Sequence, residues 1–187
     1  MNMMIVNFDP FPNILTDRLL LRKLHSSDVS DILFLRSDPR VLAYMDTSPM
    51  DTIDDAREWQ AKTQLKADNN DLVEWGISLR SDSSEKLIGM IAFWRILKDD
   101  FRAEIGYRLH PDYFRQGIMS EAMEAVLNYG FTTMNLHSVE ANINPSNEAS
   151  KKLLEEFNFV KEAHFKENIF FNGKFLDSAI YSLIKPI

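Results

Sequence analysis

The chain has 187 residues, 45% hydrophobic and 26% charged, which suits one globular domain and excludes a disordered or low-complexity protein. It has no cysteine, so disulfides, thiolate metal sites and a covalent acyl-cysteine are excluded. With 21 basic and 28 acidic residues the formal charge is −7, which disfavours nucleic-acid backbones and favours a cationic small molecule or peptide.

Met1 to Phe8 lacks a basic leader and a small-residue cleavage site, and no run approaches the ~18 apolar residues of a spanning helix. A cytoplasmic protein without a membrane partner is expected. Residues 1–13, with Met1, Met3 and Met4, read as a flexible or loosely attached segment of a single domain spanning 1–187.

Thr16 to Leu24 reads as a strand, and Asp28 to Arg36 as a short helix interrupted by Pro39. Arg40 to Met45 is a second short helical piece. Thr52 and Asp55 have capping-box spacing, which starts a helix over about Ile53 to Lys66. Three strands follow, at Leu72–Leu79, Lys86–Ile96 and Arg102–Leu109, with polar turns between them. They predict an antiparallel meander.

Met119, Ala122, Met123, Val126, Leu127 and Gly130 recur at helical spacing, predicting a helix over about Gly117 to Met134. Val139, Ala141 and Ile143 alternate with polar residues as a strand does. Asn144-Pro145 reads as an N-cap followed by proline at the first helical position. Phe159–Phe171 and Phe175–Ile184 flank Asn172-Gly173, a favoured hairpin turn. The sum is a mixed α/β (α+β) domain with a central sheet, helices on its faces and a C-terminal hairpin.

Chemistry concentrates between Ala103 and Ala122, in a strand, a loop and a helix start. A loop feeding a helix N-terminus presents free amides and the positive end of the helix dipole, so a pyrophosphate suits it. Gly117 leaves room for a phosphate, Ser120 offers a hydroxyl and Arg115 a positive charge. An ordinary loop and helix start is equally compatible. The P-loop and three-glycine dinucleotide fingerprints are absent.

Several segments together resemble the GNAT N-acetyltransferases. They are Glu104-Ile105-Gly106-Tyr107, Phe114 through Ala122, and Asn144-Pro145-Ser146-Asn147-Glu148-Ala149-Ser150. The opening Leu15 to Arg22 and the ending with Asn172-Gly173, Asp177 and Tyr181-Ser182-Leu183 resemble the branch that acetylates ribosomal-protein N-termini, the RimJ/RimL type. The resemblance runs from about Ile14 to Ile184. It implies a mostly antiparallel sheet splayed near its middle, and acetyl-coenzyme A (acetyl-CoA) as co-substrate without a metal.

On that resemblance the pyrophosphate lies on Gln116, Gly117, Ile118, Met119 and Ser120, near Arg115. The pantetheine arm follows Tyr107, Arg108 and Leu109, with Asn147 beside it. Ser150 lies near the sulfur as the leaving-group partner. Transfer is direct, to an amine that must first lose a proton. Glu104 is the expected base; the alternative is a strand carboxylate paired with Arg102 or Arg108. Phe114 and Met119 depart from the usual loop residues. Leu154 replaces the tyrosine that serves as general acid in many members, so Ser150, water or Tyr181 must take that role. One of Trp59, Trp75 and Trp94 is expected in the acceptor groove, whereas Asp46, Asp51, Asp54 and Asp55 read as a solvated helix start. The expected acceptor is a primary amine, either a protein N-terminus or a small amine. A weakly catalytic acetyl-CoA sensor is the alternative. Both a monomer and a homodimer are open.

Overall fold

The computed structural model describes residues 3–185. Its strands are β1 (Ile14–Leu15), β2 (Leu19–Arg22), β3 (Val73–Leu79), β4 (Gly89–Leu97), β5 (Arg102–Leu109), β6 (Ser138–Ile143), β7 (Val160–Phe171) and β8 (Lys174–Ile184). They form one sheet in the order β1-β2-β3-β4-β5-β6-β8-β7. Every neighbouring pair is antiparallel except β5 and β6. The meander over Val73–Leu109 and the closing hairpin are as the sequence predicts. Asn172 and Gly173 both have positive φ, the conformation a two-residue hairpin turn requires.

The helices are α1 (Val29–Leu35), α2 (Pro39–Leu42), α3 (Ile53–Asp68), α4 (Ile118–Thr132) and α5 (Glu148–Glu156). On one face of the sheet, α4 buries Ala122, Met123, Val126 and Phe131 against Ile91, Phe93, Ile105 and Val139. On the other, α1 and α3 pack Ile32, Leu35 and Ala56 over Leu87 and Met90. The sheet is therefore covered on both sides, apart from the exposed hairpin strand β7. No helix of the described residues is long and apolar enough to cross a membrane.

Three local expectations are corrected. The single strand over Thr16–Leu24 is split, because Thr16 turns back to bond the Leu19 carbonyl and separates β1 from β2. The helix after Asn144-Pro145 begins later than expected. Asn144 uses its side chain to close a turn onto the Ser146 amide, and Asn147 caps α5 by accepting from Ser150 N at 3.0 Å.

Nor is the N-terminal segment loose where it is described. Phe8 is buried, Met4, Val6 and Phe11 pack on the core, and Ile5 N bonds Met134 O at 2.9 Å. The indole of the fully buried Trp75 donates to Pro12 O at 2.7 Å. Burial of these apolar side chains and the two hydrogen bonds offset part of the freedom the segment loses. Met1 lies outside the described residues.

One buried ion pair sets where α1 begins. Arg22, on β2, grips Asp28 through two bonds of 2.8 and 2.9 Å, and both side chains are almost fully buried. Arg22 also donates to the Glu85 and Lys23 carbonyls, while Asp28 accepts from His25 N. Asp28→Ala strands the guanidinium in the interior and is expected to destabilise the fold by about 3 kcal/mol in urea denaturation.

Candidate active site

Strands β5 and β6 stay together for only three residue pairs, Arg102 with Ser138, Ala103 with Val139 and Glu104 with Glu140. Beyond Glu104, β5 remains bonded to β4 as far as Leu109, and β6 remains bonded to β8 as far as Ile143. The sheet therefore opens between them. His110 N bonds Ile88 O on the β4 side, so alternation turns the main-chain groups of Ile105, Tyr107 and Leu109 toward the gap. That edge of β5 is an unpaired template for an extended ligand.

A cavity of about 1040 Å³ runs through the opening. At one end stand Tyr107, Asn144, Asn147 and Ser150; at the other stand Arg36, Trp59, Glu74, Trp94 and Arg108. Glu104, Gly106 and Arg108 occupy one face of β5, while Ile105, Tyr107 and Leu109 occupy the face toward α4 and α5.

Glu104 is buried, and its Oε2 accepts from Arg95 Nη1 at 3.1 Å. The partner is neither Arg102 nor Arg108, since Arg102 is paired with Glu140. Burial raises the Glu104 carboxyl above the ordinary glutamate range, opposed by the charge of Arg95 and reinforced by Glu140. On the other face, the Tyr107 and Ser150 hydroxyls meet at 2.6 Å. Burial pushes Tyr107 up to about 12, against the bond from Ser150, so it stays protonated at neutral pH. This pairing was missed in the sequence reading, although Tyr107 and Ser150 were each singled out. Leu154 is fully buried and Tyr181 lies in the core away from the cavity, so neither meets the site.

At the foot of the gap, α4 begins at Ile118 with Gly117 as its N-cap, at φ +70° and without a capping side chain. The amides of Ile118, Met119 and Ser120 have no intrahelical acceptor there. Arg115, Gln116 and Gly117 are exposed, Ile118 is buried and Met119 leans on the core. Two side chains are engaged elsewhere. Gln116 donates to Asp112 O at 2.6 Å, and the Ser120 hydroxyl donates to Glu156 at 3.1 Å. Arg18 braces the loop by bonding Gln116 O at 2.9 Å while it pairs with Glu121. What this helix start offers a ligand is therefore backbone amides.

Arg108, expected along the co-substrate strand, turns its side chain to the face of β5 opposite Tyr107. Its main chain pairs with Met90, and its guanidinium lies in the far chamber with Glu74 and Arg36. Burial pulls Arg108 below the usual arginine value; burial and the Arg108 charge bring Arg36 to about 10. Trp59 and Trp94 line this chamber, whereas Trp75 belongs to the core. In the acidic cluster, Asp55 completes the α3 capping box and Asp54 pairs with Arg57, but Asp46 lines the cavity.

Residues 18–160 match the family model described as Acetyltransferase (GNAT) domain. The uncharacterized N-acetyltransferase YoaA of Bacillus subtilis is 33% identical, over 94% of this chain and 98% of its own. The ribosomal protein uS5-alanine N-acetyltransferase of Escherichia coli is 25% identical, over 95% of this chain and 93% of its own. Among solved structures, a GNAT-family acetyltransferase from Bacillus anthracis superposes with a TM-score of 0.81 at 28% identity, covering 93% of this chain and 99% of that one. The spermidine N-acetyltransferase of Vibrio cholerae, in complex with CoA and spermine, gives 0.79 at 25%, covering 91% and 97%.

Gly117→Ala forces a Cβ into a left-handed conformation that costs about 1–2 kcal/mol. If the loop relaxes to escape that strain, the amides at the start of α4 lose their arrangement. CoA affinity measured by calorimetry is expected to fall roughly tenfold.

Proposed function

Because the chain belongs to the GNAT acetyltransferases, we propose that it moves the acetyl group of acetyl-CoA directly onto a primary amine, with Glu104 taking the amine proton. One observation carries this reading. The three-pair seam between β5 and β6 sets a buried carboxylate and a half-buried hydroxyl pair on opposite faces of a single opening.

The residues suit the co-substrate. The uncapped amides at Gly117 to Ser120 fit a pyrophosphate, and the free edge at Ile105, Tyr107 and Leu109 fits the amides of a pantetheine arm. Asn147 stands beside that path. When bound, acetyl-CoA supplies an acyl group activated as a thioester.

Glu104 can hold a proton because its carboxyl is raised toward neutrality, and Arg95 keeps it ionised beforehand. Arg95 binds only Oε2, which leaves Oε1 to face an amine or a bridging water. Tyr107 and Ser150 act differently. A phenol at about 12 is less acidic than a thiol near ~8.5, so it does not surrender its proton. The pair serves as a hydrogen-bond donor to the departing sulfur, which takes its proton from solvent. A main-chain N–H of β5 facing the gap polarises the carbonyl, a contribution of ~3 kcal/mol at such sites.

The names of relatives offer two acceptor classes, an alanine of ribosomal protein uS5 and the polyamine spermidine. The shared chemistry is attack by a primary amine.

Glu104→Gln is expected to lower kcat/KM by about 10²–10³. In the native enzyme, kcat/KM falls as pH drops through the raised Glu104 value, because the protonated carboxyl accepts nothing; the variant lacks that limb. A native rate and pH profile in the variant removes Glu104 from the mechanism. Tyr107→Phe is expected to lower kcat by about tenfold and leave KM for the amine little changed.

A further inference from the structure

Five positions across three strands share the face of the sheet beneath α1 and α3. The register sets Arg108 beside Met90, and Gly106 beside Ala92, itself beside Glu74. Arg36 enters from the C-terminal end of α1 and stacks over the Trp59 ring at 4.4 Å. Arg108 Nη1 and Arg36 Nε are both buried without a hydrogen-bond partner. Among the described residues, neither guanidinium has an ion-pair partner within 4.0 Å, Glu74 included. Two half-buried cations, each with a buried nitrogen that lacks a partner, therefore face the cavity with the Glu74 carboxyl near both.

Such an arrangement is unfavourable by itself, since each buried guanidinium nitrogen loses its hydration without a hydrogen bond to replace it. It also opposes the chain's overall charge of −7. Fold stability gives no reason for it. A guanidinium fork is, however, the side chain that best matches a carboxylate, through two parallel bonds.

We propose that the acceptor is a primary amine that also carries a carboxylate, bound by Arg108 and Arg36 while its amine reaches Glu104. The proposal rests on the acetyl-transfer reading above and names the acceptor class. Glu104 and Arg108 lie four residues apart on one face of β5, so their Cα atoms are roughly 13 Å apart and the acceptor's two ends must span a gap of that order. Amino acids and short peptides meet that condition. A polyamine does not, because it brings further positive charge against two unpaired cations. A phosphate dianion fits less well than a carboxylate, because Glu74 stands beside the arginines.

The test uses acceptors that differ only by the carboxylate: lysine against cadaverine, ornithine against putrescine, and short peptides as free acids against their amides, with spermidine alongside. Thiol release from acetyl-CoA is followed with the intact enzyme. The carboxylate-bearing member of each pair is expected to have at least tenfold higher kcat/KM. Arg108→Gln and Arg36→Gln are each expected to shrink that preference to about threefold or less, mainly through KM, with Arg108→Lys between. Arg36→Gln serves if Arg108→Gln does not fold. Equal or better turnover of the decarboxylated amines or spermidine overturns the proposal, as does a preference that survives both variants. Glu104→Gln should slow both members equally and keep their ratio, which separates the base from the anion site. Calorimetric titration of the same compounds into the enzyme with CoA reads binding without turnover. Carboxylate-selective binding without acetylation supports the anion site and overturns the transfer reading; binding without selectivity, or none, overturns the anion site.

Discussion

The rest of the site depends on two strands that stop pairing. β5 and β6 each have a second neighbour that holds them along their length, β4 on one side and β8 on the other. Each also runs into a different loop, β5 toward α4 and β6 toward α5. After Glu104 they cannot satisfy both neighbours and each other. Buried main-chain polar groups must find partners, so the edge exposed between them has an unmet requirement that an extended amide-bearing ligand fulfils. The opening is therefore both a geometric gap and a chemical demand.

That demand divides the chemistry by face. Toward α4 and α5 the polar groups are neutral, a cradle of backbone amides and two hydroxyls held together at 2.6 Å. Toward α1 and α3 they are charged, with Glu104 against Arg95 and the unpaired Arg108 and Arg36 farther along. A co-substrate rich in phosphate and amide suits the first face, and an amine suits the second. The charge of −7 describes the exterior and does not carry into this chamber.

Local signals were legible wherever chemistry is short-range. The Thr52–Asp55 capping box, the Asn172-Gly173 turn and the apolar stripe of α4 all depend on residues within a few positions of one another. Asn144 misled because an asparagine can cap a helix or close a turn, and here it closes a turn onto Ser146. The packed N-terminal segment was illegible because its partners, Met134 and Trp75, lie far along the chain. The strand over Arg102–Leu109 could be read residue by residue, and its alternation separates Tyr107 from Arg108. Alternation does not say which face meets which helix. Hence the pattern does not show that the Arg108 side chain joins Glu74 and Arg36, nor that Tyr107 meets Ser150, 43 residues away. Arg95 as the partner of Glu104 depends on the β4 irregularity between Trp94 and Leu97, which leaves no mark in the residue pattern.

A crystal structure of the enzyme with CoA tests the central claim most directly. The pantetheine arm is expected to bond the main chain of Tyr107 and Leu109, with its sulfur within hydrogen-bond reach of the Tyr107–Ser150 pair and Glu104 facing that sulfur from across the opening. An arm that lies outside the gap between β5 and β6, or a sulfur that reaches neither hydroxyl, would contradict that claim.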